Sequence, residues 1–180
     1  MKTLMKTTIA AFALIAFISC KEKQTVEINT PEEVKTAKEN TADVADQGFI
    51  DGMTGKVWHN YLEIKMALAK NDESQAKSIS KDMAASFGEE RMEMKQLAQQ
   101  MADAQDIEEV RELFAQFTEK AGPMFEDALS EGTIYKKYCP MAFNNEGAYW
   151  YADVKEITNP YFGEKMLKCG SVKKPLINNP

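Results

Sequence analysis

The chain has 180 residues, with 22 Lys and Arg against 28 Asp and Glu and a formal net charge of −6. That balance argues against nucleic acid as a partner, because such binding is driven by Lys and Arg neutralising phosphates. One histidine, and no GxxxxGK[ST], GxGxxG, HExxH or paired ExxH motif, leave no hydrolase triad, nucleotide loop or di-iron site to build, so no enzyme activity is expected.

Residues 1–6 carry Lys2 and Lys6 and no acid, and Ile9 to Ile18 is almost wholly apolar. A cationic start and a run of this length suit a secretory signal and fall short of the roughly 20 apolar residues of a membrane span. The run stops at Ser19-Cys20, before Lys21-Glu22-Lys23. A small residue before cysteine, after bulky apolar ones, resembles the lipobox of bacterial lipoproteins, although Phe17 stands where Leu is commoner. On that resemblance, residues 1–19 are a signal peptide and Cys20 is the lipidated first residue of the mature chain. Residues 1–19 hold two lysines and no acid, so the remaining 161 residues carry a net −8. No later apolar run reaches membrane length, so the lipid is the expected membrane contact. Residues 20–52 are charged and small-polar, with Phe49 as the first aromatic, and read as a flexible tether.

A domain is expected over 53–173. Val57, Trp58, Tyr61, Leu62, Lys65 and Leu68-Ala69 repeat at three and four and predict a helix from about Gly55 to Lys70. Asp72 caps a second helix along Ala76, Ile79, Met83 and Phe87. Gly88 breaks it, since glycine costs roughly 1 kcal/mol in a helix interior. The pattern resumes at Met94, Leu97, Ala98 and Met101. Asp106, with Glu109 three residues on, starts another helix along Val110, Leu113, Phe114 and Phe117. Gly122-Pro123 is expected to end or kink it, with a further turn through Met124, Phe125, Ala128 and Leu129.

Residues 133–173 lack helical period and concentrate aromatics at Tyr135, Tyr138, Phe143, Tyr149, Trp150, Tyr151, Tyr161 and Phe162. Turn signals fall at Asn144 to Gly147 and at Asn159-Pro160. The expected fold is therefore all-α: three or four helices in a bundle, under an irregular cap rich in Cys, Met and aromatics, with a short hairpin at most. Residues 174–180 read as a frayed tail.

Two motifs in the cap pair a cysteine with a methionine in mirrored order, Tyr138-Cys139-Pro140-Met141 and Met166-Leu167-Lys168-Cys169. Thiolate and thioether are soft donors that select Cu(I) or Ag(I) over hard ions. An extended Cys-x-Met and a helical Met-x-x-Cys each turn both sulfurs to one side. Cys139, Met141, Met166 and Cys169 are the candidate ligands, and His59, beside Trp58, is an outside member. The rival is a structural Cys139–Cys169 disulfide, which an oxidising compartment permits. It would leave a stapled protein-interaction module without metal, and both readings stay open at this level. Met66 and Met83 fall on helix stripes and read as core filler, and the ligand-binding use of Tyr149, Trp150 and Tyr151 is a third possibility.

The runs His59-Asn60-Tyr61-Leu62, Lys65, Ala67-Leu68, then YCPMAFNNEGAYW and NPYFGEKMLKCG, resemble a family of uncharacterised envelope proteins. That family occurs as small lipoproteins in Gram-negative bacteria and as a C-terminal domain on periplasmic adaptors of copper/silver efflux pumps of the RND type. The resemblance spans about residues 55–173. It implies a helical domain in the cell envelope, facing the periplasm or associated with the outer membrane, that handles copper or another heavy metal near efflux proteins. The Cys-Pro-Met core is also similar to short heavy-metal-binding modules, which follow Met with His where this chain has Ala142.

Overall fold

The computed structural model describes residues 47–178. The signal segment, Cys20 and most of the tether fall outside that range. The elements run β1 (Gly48–Phe49), α1 (Gly52–Ala69), α2 (Glu73–Ala84), α3 (Met92–Asp103), α4 (Ile107–Ala128), β2 (Leu129–Cys139), α5 (Ala142–Asn145), β3 (Ala148–Ala152) and β4 (Ser171–Asn178).

Aspartates start three of the four long helices, α1, α2 and α4. The Thr54 N–H donates to Asp51 at 2.7 Å, Gln75 N–H to Asp72 at 3.0 Å and Glu109 N–H to Asp106 at 3.0 Å. Each satisfies a donor that the first helical turn leaves orphaned. The Gly88 break is present: α2 ends at Ala84 and a 3-10 turn over Glu89–Arg91 leads into α3. The Gly122-Pro123 break is not. α4 runs continuously through Pro123. Proline removes one hydrogen bond there, while the flanking residues Ala121 and Phe125 are fully buried in the core and hold the helix on course. Gly122 is needed for another reason. A Cβ on it would stand 2.7 Å from the Tyr151 hydroxyl, so the missing side chain lets β3 pack on α4.

The all-α expectation is wrong. The fold is mixed, with five helices and a four-stranded antiparallel sheet among the described residues. The region expected as an irregular cap supplies nearly all of the sheet. β2 pairs β3 from Tyr135↔Ala152 to Cys139↔Ala148 and pairs β4 from Gly132↔Asn178 to Tyr138↔Ser171. The expected tail is thus mostly the edge strand β4. The physical reason is that Ile134, Tyr135, Tyr138, Tyr149, Trp150 and Tyr151 are strong strand formers whose pairing is long-range. No helix among the described residues is long and apolar enough to cross a membrane.

An aromatic core joins the two halves. Tyr61 stacks on Phe114 at 4.8 Å and meets Phe125 at 5.3 Å, and Trp58 meets Phe125 edge-on at 5.0 Å. The Tyr61 hydroxyl shares a 2.9 Å hydrogen bond with Thr118 and accepts the Tyr151 N–H at 3.1 Å. One side chain on α1 thereby ties α4 to β3. Buried Arg111 closes the other end, donating to the Leu68 carbonyl at 3.1 Å, Asn71 at 2.8 Å, the Pro160 carbonyl at 3.0 Å and Glu108 at 2.6 Å. Its bond to the Pro160 carbonyl holds the Asn159-Pro160 loop against the helices, while Glu108 takes up its charge.

Candidate functional site

β2 leads straight out of α4 and ends at Cys139. Lys137, Cys139, Trp150 and Ala148 lie on one face of the β2–β3 pair, because Lys137 faces Trp150 and Cys139 faces Ala148. Pro140 then stops the ladder, and the chain reverses through left-handed Phe143, Asn144, Asn145 and Gly147 to start β3.

The second motif is brought in by Asn159. Its N–H donates to the Leu167 carbonyl at 2.8 Å, its side-chain amide donates to the Cys169 carbonyl at 2.7 Å, and its side-chain oxygen accepts the Tyr161 N–H at 2.7 Å. A 3-10 turn over Gly163–Met166 follows, and the Cys169 N–H donates to the Met166 carbonyl at 3.0 Å. Tyr161 is buried and donates its hydroxyl to the Tyr149 carbonyl, fixing the loop to β3. Burial raises the Tyr161 hydroxyl pKa far above normal, with nearby Cys139 a minor contributor.

The two cysteine sulfurs, 30 residues apart in sequence, stand 3.0 Å apart and are not bonded. Cys139 is fully buried and Cys169 is half-buried, so one sulfur faces the core and the other faces outward. The hydrogen bond shared with Cys139, and then burial, push the Cys169 thiol up to about 11. The thiol keeps its proton at neutral pH, and any metal bound as thiolate must release it.

The distance decides what each chemistry requires. A disulfide needs the sulfurs to close by about 1 Å. A tetrahedral metal with bonds of ~2.3 Å needs them to open by roughly 0.8 Å, and a linear one by about 1.6 Å. Among the described residues no group of three or more His, Cys, Asp or Glu side chains gathers as a metal cage.

The other sequence candidates differ in their surroundings. Met166 is half-buried one turn before Cys169, and Met141 is 45% exposed in the turn after Cys139. His59 is on the solvent side of α1, its side chain 58% exposed and 3.7 Å from Glu63, so it joins no sulfur. Its neighbour Trp58 is buried among Phe49, Tyr61 and Phe125. Sequence reasoning put Lys65 on the inner stripe of α1 without a partner and passed over Lys137. Lys65 is buried 3.4 Å from Asp153, and buried Lys137 donates to the Glu156 carbonyl at 2.5 Å. Burial, and then the Lys65 charge, bring Lys137 down to about 8. The signal for Lys137 was its period-two place between Tyr135 and Cys139, which only a strand assignment makes visible.

Residues 57–131 match a family described as "Protein of unknown function (DUF3347)". That span covers the four long helices, apart from the start of α1, and the first residues of β2, so it supports an uncharacterised domain and stops short of both sulfur motifs. No curated protein and no solved structure matches the chain.

Proposed function

We propose that this is a lipid-anchored cell-envelope domain that captures a soft monovalent ion, Cu(I) or Ag(I), between Cys139 and Cys169, for metal handling or delivery to efflux proteins. Its thioethers Met166 and Met141 are the outer donors, and His59 is left out. The observation that carries the reading is the approach of the two motifs, with sulfurs 3.0 Å apart, one buried and one facing outward. Two thiols, with no further His, Cys, Asp or Glu gathered beside them among the described residues, suit a soft monovalent ion more than Zn(II). The expected anchor at Cys20 and the efflux association rest on the sequence motifs alone.

The test is competition of the reduced protein against a chromogenic Cu(I) chelator, with Cys139→Ser and Cys169→Ser beside it. Saturable binding that both substitutions abolish supports the proposal. No binding by a reduced protein with its native circular dichroism ends it.

The same 3.0 Å approach favours a second reading, a Cys139–Cys169 disulfide that staples a protein-docking module. Counting free thiols in protein taken from the cell envelope separates the two. A full absence of thiols at every stage selects the staple.

A further inference from the structure

Trp150 lies next to the sulfur pair in the sheet register. Trp150 is fully buried, and the β2–β3 register sets it diagonally across from Cys139 on the same face, a separation that aromatic side chains span. Its ring also touches the second motif: a Cβ on Gly170 would stand 2.6 Å from the benzenoid end of the indole. Tyr161 meets Trp150 edge-on at 6.0 Å and packs behind it. Among the described residues neither indole N–H, of Trp58 or of Trp150, has a hydrogen-bond partner.

Resting on the soft-ion reading above, we infer that Trp150 is a specificity-determining residue: its ring closes the inner side of the Cys139–Cys169 site to water and further donors, so that a low-coordinate monovalent ion is accepted and Zn(II) is refused. Zn(II) seeks four donors in a tetrahedron. Aromatic carbon on the inner side leaves the outer side as the approach, where the two motifs continue in sequence to half-exposed Met141 and half-buried Met166. An aromatic ring beside a desolvated cation also attracts it.

The chain has two tryptophans, which makes the test direct. The reduced full chain, with Trp58→Phe or Trp150→Phe, is titrated with Ag(I) and separately with Zn(II) while tryptophan emission is followed. Ag(I) should quench the Trp58→Phe protein saturably at one equivalent and leave the emission of Trp150→Phe unchanged. Trp150→Phe should weaken Ag(I) binding about three- to tenfold, the size of one aromatic contact to a desolvated cation, and should narrow the preference for Ag(I) over Zn(II). Equal quenching in both variants, or an unchanged preference, overturns the inference while Ag(I) binding itself leaves the soft-ion reading standing. Absence of Ag(I) binding in the unsubstituted protein overturns both. The Trp58→Phe titration needs no change at position 150, so the inference stays testable if Trp150→Phe fails to fold.

Discussion

Closing the two thiols into a disulfide should stabilise the domain by an amount set by chain entropy. The sulfurs are 30 residues apart in sequence, and the loop-closure relation gives about 3.6 kcal/mol at 25 °C for a loop of that size. Native strain should subtract little, because the sulfurs need to close by only about 1 Å. Urea unfolding of oxidised and reduced protein is the assay. With a slope of about 2 kcal/mol per molar, the midpoint should rise by roughly 1.8 M on oxidation. The Cys139→Ser, Cys169→Ser protein should match the reduced form and ignore oxidant. A midpoint that falls or stays level on oxidation, with mass spectrometry showing the bond formed, would refute the premise that these side chains are poised to meet.

Tyr61→Phe should cost about 1–3 kcal/mol in thermal or chemical unfolding, because Thr118 and the buried Tyr151 N–H each lose the Tyr61 hydroxyl as a partner. A loss below ~0.5 kcal/mol would show that water replaces the hydroxyl. Gly163→Ala should destabilise by more than about 1 kcal/mol, since φ there is +55° and a Cβ would lie 2.0 Å from the Asn71 side-chain oxygen. Met141→Leu with Met166→Leu should weaken Cu(I) competition yet move stability by less than about 1.5 kcal/mol, the usual limit for volume-conserving exchanges. At Glu126, burial opposes the charged form, but the Tyr151 hydroxyl and Lys136 outweigh it and hold the carboxyl below its usual 4.5. Its stabilisation is full above 4.5 and fades as pH falls through the lower folded value, so Glu126→Gln should flatten that acid limb in a series of melts.

What the sequence disclosed follows from which forces are local. Asp72 and Asp106 were readable as caps, and Gly88 as a break, because each acts within one turn. Asp51 was missed: the first turn, Gly52 to Lys56, offers no apolar stripe, so the helix seemed to start at Gly55. The strands were missed for a different reason. Buried Lys137 stands on the covered face of β2 and exposed Tyr149 on the other face of β3, which hides the usual apolar-in, polar-out alternation. β4 is mostly exposed and carries Lys173, Lys174 and Pro175, a composition that blunts an edge and looks like a tail. The meeting of Cys139 with Cys169 was legible as a possibility in the mirrored motifs, while the Asn159 hydrogen bonds that bring it about, and Trp150 next to it, became visible only with the strand register.

The direct passage from α4 into β2, with no loop between them, bears on where the chain can be cut. The family match ends at residue 131, three residues into β2, and starts at residue 57, inside α1. A fragment trimmed to those limits would sever the strand that all three others pair with and would strip Tyr151 from Phe125 and Tyr61. It would expose core rings to water on a truncated stub. Anyone expressing the matched span alone should expect aggregation, and a protease should find no nick site between the helical end and the sulfur end.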